Sequence, residues 1–221
     1  MRRIVGGFLI TFEGIGGSGK STLARLLREH LAQVGWAFRA SREPGATKVG
    51  TSLRDLLLSG ETPPAPWTEA FLFEADRAQT YAEVLRPALE EGAVVVSDRG
   101  PFGTVAYQGF GRGLAVGLID EMSAAAWAGL TPDLTFVVDV ELRLGRSRKT
   151  GASEHDRFDE EDLAFTSRVR DGYLFSASRH EETAVLVDGS QPIASAFESV
   201  RAATEQRLAD RLRTAASTPR P

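Results

Sequence analysis

The segment that most constrains this chain runs Gly14-Ile15-Gly16-Gly17-Ser18-Gly19-Lys20-Ser21, a match to G-x-x-x-x-G-K-[ST]. An apolar run, Phe8–Phe12, precedes it and a helix-patterned stretch follows from Lys20. Glycines let the backbone turn tightly, so successive amides between Phe12 and Thr22 point inward as an anion cradle. A helix beginning near Lys20 adds its positive end. Lys20 is expected to neutralise charge on the β- and γ-phosphates, and Ser21 to ligate Mg²⁺, a hard cation that prefers oxygen. Average residue usage puts a chance match in a chain of this size at about 1% or less. The motif establishes that a nucleoside triphosphate binds, and no more: GTPases, motors, transporters and small-molecule kinases share it.

The flanks set the fold class. Five short apolar runs, Phe8–Phe12, Ala37–Ser41, Ala93–Ser97, Leu134–Asp139 and Ala184–Asp188, alternate with amphipathic stretches. The stretches are Lys20–Val34, Thr51–Leu58, Thr68–Glu90, Leu114–Ala128, Glu141–Lys149, Glu160–Ser178 and Ile193–Arg213. Alternation of this kind predicts an α/β fold, a five-stranded parallel sheet covered by helices on both faces. A Gly-, Ser- and charge-rich stretch, Thr150–Asp156, reads as a mobile loop, and the Pro-rich end from Thr214 as a flexible tail. The expected organisation is one domain over 1–213, with a lid at about 146–158 and a tail at 214–221. The chain has 221 residues, enough for one full core.

Composition removes several function classes. Without cysteine there is no disulfide, thiolate nucleophile or Cys-zinc site. No apolar stretch reaches the roughly 18 residues of a membrane span, and the N-terminal apolar run ends at Glu13, so it reads as a strand and the cytoplasm is the expected location. A net charge of −4 gives no basic face for nucleic acid. A small nucleotide needs only a local group of arginines.

A second site is expected at Val94-Val95-Val96-Ser97-Asp98-Arg99, a strand ending in an acid and a base. Ligands of open α/β sheets lie beyond the carboxyl ends of the strands. Asp98 there suits a Mg²⁺-bound water, and the planar fork of Arg99 suits a phosphate; a surface pair capping the strand is the plainer alternative. Thr104, Tyr107 and Gln108 carry directional groups suited to a base edge or a sugar. Phe73 and Arg77 lie one helical turn apart on one face, although Phe73, beside Phe71 and Leu72, reads equally as a core aromatic. Arg146, Arg148, Lys149 and Arg157 bracket the loop at 150–156, either as a closing lid or as a solvated basic helix end.

Taken in order, Phe12-Glu13-Gly14, the glycine loop, Arg42-Glu43-Pro44-Gly45, Asp98-Arg99, Ala106-Tyr107-Gln108-Gly109, Pro132-Asp133-Leu134-Thr135, Asp156-Arg157-Phe158 and Arg168–Tyr173 resemble the bacterial thymidylate kinase family over about Phe8 to Arg201. The resemblance implies a P-loop NTPase fold of the nucleoside monophosphate kinase type, with ATP and Mg²⁺ as cofactors. It implies a small-molecule nucleotide acceptor, dTMP, and a homodimer. On the donor side it implies that residues 14–22 hold the phosphates, that Arg148 packs on adenine, and that Ser190 and Gln191 border it. On the acceptor side it implies Phe73 stacking on thymine, Arg77 on its carbonyl edge, Thr104 and Gln108 beside the base, and Tyr107 beneath the sugar. Glu43, Pro44, Arg54 and Arg99 are implied around the acceptor phosphate. The phosphate loop has no arginine, so a lid cation is implied for transfer, Arg157 first and Lys149 second.

Three positions depart from the family. Gly16 stands where an acid usually reaches the 3′-hydroxyl of the acceptor sugar, Gly100 where an aromatic or histidine is usual, and Gly103 where serine is usual. A lost charge-assisted hydrogen bond is worth about 1.5–3 kcal/mol. All three line the expected acceptor pocket, which raises a modified or other pyrimidine nucleotide as an alternative substrate and an inactive paralogue as another. A GTPase switch is disfavoured, because no Asn-Lys-x-Asp guanine signature occurs.

Overall fold

A computed structural model of the chain describes residues 1–59, 62–149 and 157–217. The loop expected at Thr150–Asp156, and the tail beyond residue 217, lie outside the described residues.

Five strands form one parallel sheet in the order β2-β3-β1-β4-β5, with β1 at Phe8–Glu13, β2 at Phe38–Arg42, β3 at Val94–Asp98, β4 at Leu134–Asp139 and β5 at Ala184–Asp188. All pairings are parallel, and the register sets Phe12 and Arg42 opposite Asp98. The carboxyl ends of β1, β2 and β3 are therefore level. Alternate residues of the central strands feed two cores. Phe8, Ile10, Phe12, Val94, Val96, Phe136 and Val138 pack with Leu23, Leu27 and Leu31 of α1 (Lys20–Gln33) on one face. Leu9 and Val95 pack on the other with Leu85, Leu89 and Trp127. Burial on both faces explains why these strands read as continuous apolar runs.

The helices follow the expected stretches, with informative shifts. Helix α2 spans Lys48–Leu58, starting before Thr51 because the Thr47 hydroxyl accepts from the Gly50 amide as an N-cap. The stretch expected as one helix from Thr68 is α3 (Pro66–Thr80), a π-helical turn at Tyr81–Leu85 and α4 (Arg86–Glu90) in sequence. One helical segment was not legible. Residues Pro101–Thr104 form α5, and a π-helical stretch continues through Val105–Gly111. Its glycines argue against helix on propensity, but they permit close packing. Helix α6 covers Val116–Ala126, α7 Leu142–Lys149, α8 Leu163–Arg179 behind an Asp162 cap, and α9 Ile193–Ser217. A single 3₁₀ turn, Arg157–Asp159, precedes α8.

The contact between α8 and the 101–111 segment shows why. A Cβ built on Gly172 of α8 would lie 2.7 Å from Ala106 Cα and 3.0 Å from Phe110. Helix propensity favours alanine over glycine by about 1 kcal/mol, but the collision opposes it. Gly172→Ala is expected to lower the unfolding free energy by about 1–3 kcal/mol, read from the urea midpoint. A raised midpoint would mean that propensity outweighs the contact.

Candidate active site

The carboxyl ends of β1, β2 and β3 open into a cleft of about 1330 Å³. On one side stands the loop 14–19 between β1 and α1. At Gly17, φ is 73° and a Cβ would fall 2.0 Å from the Gly145 carbonyl oxygen of α7, so only glycine fits. Lys20 opens α1, is buried, and donates from Nζ to the Ile15 carbonyl at 3.3 Å. Burial, and then the nearby Arg99, push its amine down to about 7 against the pull of Asp98. Ser21 is exposed and lines the cleft, whereas Thr22, also exposed, is not among its lining residues. Arg148 and Gln191 also stand outside that lining, at the end of β5. Arg148 donates to the Gly189 carbonyl at 2.7 Å, and the Gln191 amide to Asp188 at 3.2 Å. Gly189 itself presses on the phosphate loop, since a Cβ there would meet the Ser18 carbonyl at 2.7 Å.

Opposite the loop, β3 ends in Asp98 and Arg99. Arg99 has φ 79°, a left-handed conformation that costs a non-glycine residue about 1–3 kcal/mol and points to a functional constraint. Its amide donates to the Phe12 carbonyl at 2.9 Å and its Nη1 to the Tyr173 hydroxyl at 2.7 Å. The guanidinium carbon lies 5.3 Å from the Tyr107 ring centroid. Nearby tyrosines and Asp98 hold it firmly cationic although burial opposes this. Asp98 and Ser21 line the same cleft, an oxygen pair suited to a hard cation. No cluster of three or more His, Cys, Asp or Glu occurs among the described residues, so a cation on this pair would draw its other ligands from phosphate and water.

The half of the cleft where the acceptor is expected is held together by Arg77. Its guanidinium is buried and donates to Glu43 at 2.9 Å, Glu74 at 2.5 Å, Thr104 at 2.9 Å, Ser123 at 3.1 Å and the Gly100 carbonyl at 2.9 Å. Burial pushes Glu43 up to about 7, with Arg77 opposing. Pro44 follows Glu43, and its carbonyl accepts from Arg54 at 3.1 Å. Phe73 lines the cleft together with Arg77, Thr104, Tyr107 and Gln108. The structure thus gathers Glu43, Pro44, Arg54, Phe73, Arg77, Arg99, Thr104, Tyr107 and Gln108 around one cavity. The spare hydrogen-bonding capacity of Thr104 and Gln108 is partly committed: Thr104 accepts from Arg77, and Gln108 donates to Glu69 at 2.7 Å.

The two lid cations part company. Arg157 is buried. It donates from Nε to the Leu57 carbonyl at 2.5 Å, pairs with the fully buried Glu69, and stacks at 4.3 Å on Phe158. The side chain, expected as the lid cation for transfer, lines the cleft while anchored to the end of α2 and to α3. Lys149 instead lies over that loop. Its stem runs 3.4 Å from where a Gly16 Cβ would be, and its Nζ pairs with Asp159 at 2.9 Å. Lys149 and Arg146 both line the cleft.

Several participants were not singled out from sequence. Glu69, Phe73 and Arg77 form one i, i+4, i+8 stripe on α3, so the helix face that suggested Phe73 and Arg77 also carried Glu69. Tyr173, which accepts from Arg99, carries no such signal in the sequence. Glu13 is fully buried, and neither carboxyl oxygen has a hydrogen-bond partner among the described residues. Cβ atoms on Gly100 and Gly103 would sit 3.4 and 3.7 Å from its two oxygens. Two of the three departures from the family pattern therefore abut this one carboxyl group. Burial pushes Glu13 up to about 8, despite Arg99 and Arg77.

Comparisons with known proteins agree with this geometry. The thymidylate kinase family model matches residues 12–200. A thymidylate kinase of Oleidesulfovibrio alaskensis is 44% identical over 203 residues, covering 88% of this chain and 95% of that protein. One from Nitratidesulfovibrio vulgaris is 45% identical over 190 residues, 82% and 85% of the two chains. The crystal structure of thymidylate kinase from Ehrlichia chaffeensis superposes with a TM-score of 0.76 at 29% identity, covering 90% of this chain and 98% of that one.

The buried carboxyl of Glu13 has a measurable signature. Between its unfolded value near 4.5 and about 8, the folded chain keeps a proton that the unfolded chain has lost. Its stabilising contribution is complete below pH 4.5 and is lost as pH rises toward 8, at up to about 1.4 kcal/mol per pH unit. Glu13→Gln is expected to flatten the unfolding free energy across that window. An unchanged slope in the variant would show that Glu13 ionises normally.

Proposed function

This chain belongs to the thymidylate kinase family and is an ATP:dTMP phosphotransferase, and from that premise we propose how its residues carry out the transfer. The observation that carries the reading is the opposition, across one cleft, of an amide-lined loop with Lys20 and a half-buried arginine, Arg99. Two phosphate-binding ends face each other with space between them.

The triphosphate lies in loop 14–19, its charge met by backbone amides, the start of α1 and Lys20. A phosphate oxygen there raises the affinity of Lys20 for its proton and holds the amine charged. The adenine end lies toward Arg148, Ser190 and Gln191 at the end of β5. Thymine lies against Phe73 and Arg77, with Thr104 and Gln108 at its edge and Tyr107 by the sugar. Arg99 holds the acceptor phosphate, with Glu43, Pro44 and Arg54 beside it. Mg²⁺ would be held by Ser21 and Asp98 and, when bound, neutralises charge building on the phosphates.

An acceptor phosphate oxygen forms the new bond to the γ-phosphorus as the bond to the β-bridging oxygen breaks, and the electron pair leaves with ADP. A phosphate monoester has its second pKa near 6, so the attacking oxygen is already deprotonated and no general base is required. What the protein must provide is alignment and positive charge on the transferring group. Lys20, Arg99 and Lys149 are placed to provide that charge. Arg157 contributes on the acceptor side, through its anchor on Glu69. Arg146 and Lys149, with Arg157, Phe158 and Asp159, line the cleft and help to exclude water, which limits hydrolysis of ATP.

One kinase domain over 1–213 accounts for this arrangement. Partly exposed Trp67 and Phe71 on α3, with Leu56 on α2, support a homodimer through these helices. No helix of the described residues is long and apolar enough to cross a membrane, which supports a cytoplasmic enzyme.

Purified chain with ATP, Mg²⁺ and dTMP is expected to release dTDP and ADP one for one, and to prefer dTMP over dUMP and dCMP. Lys20→Ala is expected to lower kcat/KM at least about 100-fold. ADP formation that is indifferent to dTMP, or parental turnover by the variant, would overturn the reading.

A further inference from the structure

Arg99 faces the phosphate loop, and different partners fix its backbone and its side chain. The backbone belongs to the sheet: the Arg99 amide donates to the Phe12 carbonyl at 2.9 Å, and the Arg99 carbonyl accepts from the Ser97 hydroxyl at 2.8 Å. The side chain belongs to two tyrosines. Its Nη1 donates to the Tyr173 hydroxyl at 2.7 Å, and the guanidinium carbon stands 5.3 Å from the Tyr107 ring centroid. An arginine left unheld spreads over many rotamers. The hydroxyl of Tyr173 removes that freedom.

We infer that Tyr173 is a positioning residue for the transfer: its hydroxyl holds the Arg99 guanidinium at a set distance from the phosphate loop, and so sets the span across which the two phosphates meet. The inference rests on the kinase reading above. Tyr173 is only 2% exposed and does not line the cleft, so it acts through Arg99. Its ring belongs to the same apolar cluster as Ile15 of the phosphate loop, which ties the support of Arg99 to the loop it faces. The same Nη1 also comes within 3.5 Å of the carbonyl of Gly14, the first residue of that loop. A hydroxyl suits this task better than a carboxylate. A carboxylate would grip the guanidinium more tightly but cancel the charge that a phosphate needs. Burial pushes the Tyr173 phenol well above its usual range, with the Arg99 guanidinium and the Gly14 amide opposing, so the support stays neutral. Arg99 is thereby oriented without being neutralised. Because transfer depends on alignment of the two reacting groups, loss of the hydroxyl is felt most when both phosphates are in place together.

The test uses Tyr173→Phe, which keeps the ring and its packing and removes only the hydroxyl, with Arg99→Ala and the double variant. The probe is a bisubstrate analogue in which adenosine and thymidine are joined 5′ to 5′ through a pentaphosphate. Tyr173→Phe is expected to lower kcat about tenfold with KM for ATP within about twofold. It is expected to weaken the analogue about tenfold, while ADP alone and dTMP alone bind within about twofold of the parent. In the Arg99→Ala background the same substitution is expected to change the affinity for the analogue less than about twofold, because the group it positions is gone. Equal weakening in the two backgrounds overturns the inference alone, as does an analogue weakened no more than the two separate ligands combined, the pattern of a merely structural role. Unchanged kcat and unchanged affinity for the analogue in Tyr173→Phe overturn it as well. A parent that makes no dTDP from dTMP overturns the inference and the kinase reading with it.

Discussion

One buried guanidinium organises half of this cleft. Arg77 reaches the end of β2 through Glu43, its own helix through Glu74, the β3–α5 corner through the Gly100 carbonyl, α5 through Thr104 and α6 through Ser123. Three segments distant from α3 in sequence, the end of β2, the 100–104 corner and α6, are thereby tied to one planar group. Buried ion pairs gain little over apolar packing in net stability, but removing one partner strands the others without water. Removing Arg77 would strand two carboxylates, Glu43 and Glu74, in the interior. The acceptor pocket is therefore rigid by virtue of charge, whereas the sheet beneath it is rigid by virtue of apolar packing. The phosphate loop depends on neither, because backbone contacts with Gly145 and Gly189 fix it.

The distribution of charge follows from the same arrangement. Glu69 answers Arg157, Arg112 and Gln108 near the start of α3, as Glu43 and Glu74 answer Arg77 two turns further along it. Lys20 and Arg99 face the cleft without a buried carboxylate bonded directly to them, so their charge is directed at whatever enters. Burial pushes the Glu13 carboxyl up to about 8, so it takes on negative charge less readily beside a site that must attract phosphates.

Much of this was legible in the residues. The five strands fell within a residue of their observed limits because both faces are buried and the apolar runs are unbroken. The phosphate loop declared itself by spacing alone, and Asp98-Arg99 by its position at a strand end. The helix over 101–111 was hidden, since Gly103, Gly109 and Gly111 are poor helix formers, and what they pack against, α6 for Gly109 and α8 for Gly111, is a long-range fact. The anchoring of Arg157 was hidden for a similar reason. Its partner Glu69 is 88 residues away and looks, on a helix with so many charges, like an ordinary solvent-facing acid.

The contact between Gly17 and Gly145 constrains how such a chain can diverge. Neither residue leaves space for a methyl group: one would strike a carbonyl at 2.0 Å and the other would press on the Gly16 carbonyl at 3.0 Å. The nucleotide cradle and the root of the helix bearing Arg146, Arg148 and Lys149 therefore behave as a single welded joint. Sequence drift along that helix can therefore change which charges it presents to the cleft without ever loosening its root.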